Sequence, residues 1–589
     1  MFFRKRALAR IANEKVLYER RRGGDISVCV IYPNIYRLGM ANLGFQAVYH
    51  IFESARRINA DRAFLPDPDE SAAIRAGSAQ LMSFEDGRPL TDFEIVAFSI
   101  AFETDYLNVL NILRMAGIPL RRSERAGRNY PLIIAGGSAV FLNPEPIADF
   151  IDLFLIGEGE EMVPEFLAAY ERERETDSSA TTSLESLAQV GGAYLPDYFH
   201  PDFDDSGRIS SIAYYGPGDA RVKRRMIRDL DRFTTASLIL TDESVFGDMY
   251  LVEASRGCQW GCRFCAAGFM YRPIRYRSPK KLIDEAARGL TERRVIGLIG
   301  AEMASVPGVA EVANAVADSG GRLSPSSLKA DCISPQLAAA LKRNGSRSVT
   351  VAPEAGSERM RKVINKNLTE PQIVEASAML AGEGIENLKL YFMIGLPEEQ
   401  DQDVVEIARL TGKILHQVRT QRTSLAHVTV SLNPFVPKPW TPFQWDPMED
   451  AQSIKRKVAL LRTELRHLGG SAIELDAESP REAYFQTLVS RGDRRVGGIL
   501  ERLSAVGCDQ PGSIWQELRR MKHEAIHESG LPDPDSYVTR SYAHDEILPW
   551  DFIDHHIHKW FLLSERKKAH YEHQTKPCDV TRCTVCGAC

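Results

Sequence analysis

Ser255-Arg256-Gly257-Cys258-Gln259-Trp260-Gly261-Cys262-Arg263-Phe264-Cys265 places three cysteines within eight residues. The stretch directly follows an apolar run, residues 250–254, that reads as a strand. Thiolates are soft ligands that favour iron–sulfur clusters or zinc. Three of them in one short loop can ligate three irons of a cubane and leave the fourth without a protein ligand. Gly257 and Gly261 would let the backbone fold tightly around such a cluster, and backbone N–H groups there could donate to its sulfurs. A three-cysteine zinc site is the competing reading. The CxxxCxxC spacing, with an aromatic residue before the last cysteine, favours the cubane.

Outward from this loop the chain alternates strand and helix. Further strands are expected at 295–299, 327–330, 348–352, 387–393 and 427–432, with helices at 279–291, 309–317, 335–343, 370–383 and 401–415. Ser278 before Pro279 is a good N-cap with proline at N1. Six strand–helix units imply a partial (β/α)6 barrel with its site at the carboxyl ends of the strands. Upstream, apolar runs at 26–32, 94–99, 132–135 and 153–156, with helical spacing over 38–54 and from Glu160 to about 175, read as a doubly wound, Rossmann-like α/β domain. The expected organisation is residues 1–190 for that domain, 191–245 for a strand-containing bridge, 246–450 for the barrel, 451–574 for a mainly helical domain and 575–589 for a cysteine-rich tail. Residues 176–190, rich in Ser, Thr and Ala, read as a surface linker or poorly ordered loop.

The 589 residues call for about two to four domains. A net charge of −6 argues against a globally basic nucleic-acid binder and leaves only a local basic groove open. No apolar run is long enough for a membrane span. The start of the chain has Arg4, Lys5, Arg6 and Arg10 but no apolar signal segment, so a cytoplasmic location is expected. Ten cysteines in such a chain point to metal binding rather than disulfides. Cys29, Cys332 and Cys508 stand alone and read as ordinary buried thiols.

The cysteine loop and the segments after it resemble the radical S-adenosylmethionine (SAM) superfamily over roughly residues 245–435. The resemblance implies a [4Fe-4S] cluster on Cys258, Cys262 and Cys265 whose open iron chelates SAM. It further implies contacts to SAM from Gly300 and Glu302 in Leu298-Ile299-Gly300-Ala301-Glu302, from Glu354 and Ser357 near the ribose, and from Gly395 near the adenine. A carboxylate at Glu354 could accept both ribose hydroxyls.

A doubly wound domain ahead of such a core resembles the cobalamin-binding radical SAM class. The segments that would line the sheet's carboxyl edge contain Pro33 and Asn34, Ser99, Gly136 and Gly137, and Gly157 and Glu158. The DxHxxG motif, whose histidine coordinates cobalt in one cobalamin class, is absent: the first strand is followed by Pro33-Asn34-Ile35-Tyr36-Arg37-Leu38-Gly39. The competing reading is a Rossmann-like domain that binds substrate or nothing.

Cys578, Cys583, Cys586 and Cys589 supply four more thiolates. They suit an auxiliary [4Fe-4S] cluster, structural zinc or a flexible redox tail. Together with Arg491-Gly492-Asp493-Arg494-Arg495, Leu548-Pro549-Trp550-Asp551 and Phe435-Val436-Pro437-Lys438-Pro439, this ending resembles a radical SAM family often paired with, or fused to, a small radical-SAM-linked partner domain. Residues 435–443 (FVPKPWTPF) also resemble the core end of RNA methylthiotransferases, although a proline-rich linker closing the barrel accounts for them as well. Asp554-His555-His556-Ile557-His558 reads as a solvated helix face.

The expected function is reductive SAM cleavage for cobalamin-associated methyl transfer or another radical modification, with an electron donor of flavodoxin or ferredoxin type. SAM could serve as radical source, methyl donor or both. RNA or ribosomal-protein modification by methylthiolation and an iron–sulfur carrier without SAM turnover are the alternatives.

Overall fold

The structure is a computed structural model and describes residues 2–21, 23–176, 184–326, 328–421, 427–469, 472–506, 511–525 and 532–589. Two parallel sheets organise it. The first contains β1 (Ile26–Tyr32), β2 (Ile58–Phe64), β3 (Ile95–Ser99), β4 (Leu132–Gly136), β5 (Leu153–Leu155) and β6 (Ala193–Tyr194), in the spatial order β2-β1-β3-β4-β5-β6. All neighbours are parallel except β6, which runs antiparallel to β5. The order reverses between β1 and β3, and a doubly wound sheet offers its ligand crevice at that point, outside the carboxyl ends of the strands. β1 (ISVCVIY) is buried almost throughout because helices cover both faces.

β2 has no counterpart among the apolar runs, since Asp61 and Arg62 interrupt it. Both are buried, and Arg62 pairs with Glu14 at 2.7 Å and Glu85 at 2.6 Å. The helix expected over 38–54 is broken: a turn at 40–42 separates Tyr36–Gly39 from Leu43–Ser54, whose N-cap Asn42 accepts from the Phe45 amide at 2.9 Å.

The second sheet system begins with β7 (Met249–Glu253), β8 (Val295–Ile299) and β9 (Arg322–Pro325) and continues with β10 (Ser348–Glu354), β11 (Asn387–Ile394), β12 (His427–Pro434) and β13 (Ile473–Ala477). Every pairing is parallel, and the two groups meet at a bridge between Leu328 and Val351. The third strand therefore lies upstream of residues 327–330, which instead carry that bridge and the start of the 3-10 turn Ala330–Cys332; residue 327 is outside the described residues. β13 sits in a region read as helical, because its alternating IELDA pattern is short and half-exposed. The helices Pro279–Leu290, Val309–Asp318, Pro335–Arg343, Glu370–Gly382 and Asp401–Gln421 connect successive strands. Ser278 caps the first of them by accepting from the Lys281 amide at 3.2 Å.

Between the sheets, a hairpin of Phe199–Phe203 and Ile209–Tyr214 accounts for part of the bridging region. Of the serine-rich stretch, residues 177–183 lie outside the described residues and Leu184–Leu187 forms a helical turn. Cys508 is also outside them. The segment Asp554–His558 is not helical. Ile553–Asp554 pairs with Val222–Lys223, and His555 is fully buried with Nε2 at 2.7 Å from the Phe141 carbonyl. Burial pushes its pKa down to about 3. Among the described residues no helix is long and apolar enough to cross a membrane.

Candidate functional site

The loop after β7 is closed at its base by a short antiparallel pair, Ser255–Arg256 with Arg275–Tyr276, so the three cysteines stand on a hairpin stalk at the carboxyl end of the strand. Gly257 has φ +86°, and a Cβ there would lie 2.9 Å from the Tyr271 carbonyl oxygen, so the turn into Cys258 requires glycine. Cys262 is buried, and Cys258 and Cys265 are half-buried. Burial, followed by the neighbouring thiols, pushes Cys258 up to about 12; burial pushes Cys262 up to about 11. Such a group is costly to ionise without a compensating cation. The Gly268 amide donates to the Cys265 carbonyl at 3.2 Å, and the Cys265 amide to that of Cys262 at 3.1 Å, so the last two cysteines sit on consecutive turns.

A second layer holds the loop. The Asn365 side-chain amide donates to the Gly261 carbonyl at 3.0 Å, and its oxygen accepts the Thr575 amide at 2.7 Å. Arg263 is completely buried, donates to the Lys362 and Val363 carbonyls and pairs with Glu565 at 3.2 Å. Lys366 pairs with Glu354 at 3.1 Å. Burial works against its charge, but Glu354 and then the Cys262 thiol outweigh burial and raise its pKa. The Lys329 ammonium lies 3.7 Å from the centre of the Trp260 ring. Of these residues, Lys329, Asn365, Lys366 and Glu565 were not singled out from sequence. The one local signal was Asn365-Lys366-Asn367, whose asparagines adopt φ +56° and +53°.

Gly300, Glu354 and Gly395 follow or end β8, β10 and β11, on the same rim as the cysteine loop. Glu302 accepts the Ala304 and Ser305 amides at 2.7 and 2.9 Å and acts electrostatically on Cys258. The Ser357 hydroxyl is committed elsewhere: it caps Glu358–Val363 and donates to Asp403 at 2.5 Å. Cys332 is half-buried rather than buried. It accepts from the Ser305 hydroxyl at 3.3 Å and acts on Tyr276 together with Cys258 and Glu302.

A cavity of about 520 Å³ lies between the carboxyl edge of the first sheet and the stalk of the cysteine loop. Ser99, Gly136, Gly137, Gly157 and Glu158 line it on one side, and Ser255, Arg256, Gly257 and Gly300 on the other. The Ser255 hydroxyl is buried without a hydrogen-bond partner among the described residues. Glu158 is chiefly a clamp. It pairs with Arg275 at 2.6 Å and Arg256 at 3.1 Å and accepts the Ile227 amide at 2.8 Å, binding the first domain to the stalk.

Pro33 and Asn34 do not line the cavity. Asn34 donates instead to Asp105 at 2.7 Å. Burial pushes Asp105 up to about 7, and its other oxygen has no partner among the described residues. A carboxyl whose folded pKa is raised from 3.8 to about 7 favours folding at low pH, and this advantage is lost as pH rises through that window. Asp105→Asn should therefore flatten the fall in stability between pH 4 and 8, read by denaturant titrations at several pH values; an unchanged pH slope would refute the assignment.

The four tail cysteines are gathered at the end of the chain, with Cys586 buried and Cys589 exposed. Among the described residues, no group of three or more His, Cys, Asp or Glu is placed to hold a metal ion.

A doubly wound domain leading into an open parallel barrel, with three cysteines on the loop after the barrel's first strand, defines the architecture of radical SAM proteins. Residues 44–196 match the family model for radical SAM proteins, N-terminal, and residues 252–411 match that of the radical SAM superfamily; the chain is a radical SAM enzyme. It is 28% identical to the uncharacterized protein MJ0966 of Methanocaldococcus jannaschii, over 81% of this chain and 90% of that one. Its fold is that of the radical SAM methyltransferase TsrM from Kitasatospora setae, solved with cobalamin and a [4Fe-4S] cluster: TM-score 0.50, 11% identity, 82% of this chain and 99% of that one. The cobalamin-dependent SAM radical enzyme OxsB, solved with aqua-cobalamin and SAM, aligns with TM-score 0.46 and 13% identity over 93% of this chain and 79% of that one.

Proposed function

We propose that this enzyme holds a [4Fe-4S] cluster on Cys258, Cys262 and Cys265, binds SAM at the open iron, and carries cobalamin in the interdomain cavity for methyl transfer to an unactivated carbon. So loaded, the site would supply one electron to split the sulfonium C–S bond of SAM into methionine and a 5′-deoxyadenosyl radical, with cobalamin as the methyl carrier. The donor set fits a cluster: three buried or half-buried thiols on one loop, and a lysine, Lys366, whose charge offsets that of a Cys262 thiolate. The cavity fits a flat, bulky ligand, with small residues along its sheet edge and an unpartnered Ser255 hydroxyl in its wall.

One observation carries the reading: the cavity and the cluster loop share a wall at Arg256 and Gly257, directly before Cys258. A ligand in the cavity would therefore face the reacting end of SAM. Glu354 and Gly395, at the ends of neighbouring strands, are placed to bind the nucleoside, and the Glu158 clamp fixes the two domains around the reaction space. The TsrM fold, solved with both cofactors, supports the assignment. Oxygen-sensitive thiolate chemistry suits a reducing compartment and requires a low-potential donor of flavodoxin or ferredoxin type.

Protein purified anaerobically from cells supplied with cobalamin should retain the corrinoid, seen in the visible spectrum, and release 5′-deoxyadenosine from SAM under reduction. Ser99→Leu, which fills the cavity wall, should cut corrinoid retention at least about tenfold, the scale of 1.4 kcal/mol in binding, without lowering iron content. Wild-type protein that retains no corrinoid would remove the cobalamin assignment. Cluster transfer to an acceptor without any SAM cleavage would instead favour a carrier.

A further inference from the structure

We propose that Cys578, Cys583, Cys586 and Cys589 hold a second [4Fe-4S] cluster, placed against the first so that it relays electrons to it; the relay rests on the first cluster being where the preceding section puts it. The tail does not hang free. The Cys578 amide donates to the Gln259 carbonyl at 2.8 Å, inside the first cysteine loop. The Asn367 side chain donates to the Thr575 carbonyl at 3.0 Å, and the His558 amide to that of Cys586 at 2.9 Å. One hydrogen bond thus connects a tail ligand to the residue adjoining Cys258.

Within the tail, the Cys583 amide donates to the Asp579 carbonyl at 2.9 Å and the Gly587 amide to the Thr584 carbonyl at 3.4 Å, so the four cysteines sit on consecutive turns. On the side of the first loop, Arg272 donates from Nε to the Gly268 carbonyl at 2.6 Å, and its Nη2 would lie 3.5 Å from a Cβ on Gly261. Arg272 also packs over Phe269 and Phe561, with ring centres at 4.8 and 5.4 Å.

Ligand spacing selects iron–sulfur over zinc. Cys583-x2-Cys586-x2-Cys589 repeats the C-x2-C-x2-C run of cluster-binding ferredoxins, with Cys578 available as the fourth thiolate. Cys586 is buried and Cys589 exposed, so one side of the quartet faces solvent. In the relay, an external one-electron donor, a reduced flavodoxin, takes the tail cluster from the 2+ to the 1+ state. The tail cluster returns to 2+ as it reduces the first cluster from 2+ to 1+, and no proton or ligand is transferred.

The test uses full-length protein reconstituted anaerobically with iron and sulfide. Wild type, C258A/C262A/C265A and C583A/C586A are assayed for iron, sulfide and zinc, and by electron paramagnetic resonance after photoreduced flavodoxin is added. Wild type should hold about eight irons and each variant about four, as two independent cubanes require. Freeze-quench sampling should show the first cluster reduced at least tenfold more slowly in C583A/C586A. The tail site is overturned if C258A/C262A/C265A holds no iron, or one zinc, while C583A/C586A keeps four irons. The relay alone is overturned if the first cluster is reduced at the wild-type rate without the tail cluster. If C583A/C586A loses its cubane while C258A/C262A/C265A keeps four irons, the assignment of the first cluster fails instead. C589S changes only the exposed ligand and guards against misfolding: the proposal predicts a changed tail-cluster signal, and an unchanged spectrum counts against it.

Discussion

Cys258→Ala, Cys262→Ala and Cys265→Ala should each reduce 5′-deoxyadenosine release to background, a fall of at least about 10⁴-fold, because enzymes typically accelerate their reactions by about 10⁶-fold or more. The reason is electronic as well as structural. SAM cleavage needs an electron at low potential next to the sulfonium, and the cubane that supplies it depends on three thiolates from one loop. Cys262 is the most deeply buried of them, so its removal also leaves a small void in the packing. The check is product release under reduction, with iron counted in the same samples. A variant that loses the iron but keeps the product would show that the electron comes from elsewhere.

The second large effect is on stability. Glu158→Ala should cost about 3–5 kcal/mol, the usual result of removing one partner from a buried ion pair. Arg275, which is 7% exposed, loses both of its carboxylate contacts, at 2.6 and 2.8 Å, and has no other acidic partner among the described residues. Arg256 keeps Glu253 and Glu160 and is affected less. The unfolding midpoint should fall by roughly 10 °C, taking the clamped region as a unit of about 150–250 residues. Glu158→Gln preserves the shape and should lose most of the same stability, because it is the charge that Arg275 needs. A thermal scan that left either variant within about 1 °C of wild type, when 1 kcal/mol is already worth about 2–4 °C, would mean that Glu158 does not bind the domains together.

The parts of this protein legible in the sequence are those set by short, local rules. The CxxxCxxC loop after an apolar strand, the Ser278-Pro279 cap and the helices between the strands follow from ligand spacing, capping and periodicity. β2 was hidden because Asp61 and Arg62 look like surface residues, and only the fold brings Glu14, Glu85 and Ser83 to meet them. Glu158 looked like a cofactor contact because it follows a strand-end glycine. Its arginine partners lie 98 and 117 residues away, beyond the reach of any local pattern.

The same holds for His555. A run of histidines resembles a solvated face, yet Phe141, 414 residues distant in the chain, supplies the carbonyl that makes its burial affordable. The family-like segments around Arg491 and Trp550 prove to be structural junctions. Arg491 donates to the Val538 and Arg540 carbonyls, and the Trp550 indole donates to Gln444 at 2.8 Å. Lys438 of the proline-rich segment reaches Glu103 of the first domain at 2.7 Å. Arg491 thus ties parts of the C-terminal region to one another, Trp550 ties that region to the end of the barrel, and Lys438 ties the barrel to the first domain.

The central claim concerns the fourth iron of the Cys258/Cys262/Cys265 cluster. It is tested most directly by electron–nuclear double resonance on reconstituted, reduced protein mixed with SAM labelled with ¹⁵N at the amino group and ¹⁷O at the carboxylate. The account predicts hyperfine coupling from both labels to the cluster spin, lost in Cys262→Ala. SAM that binds without coupling, or a fourth ligand from the protein on that iron, would contradict it.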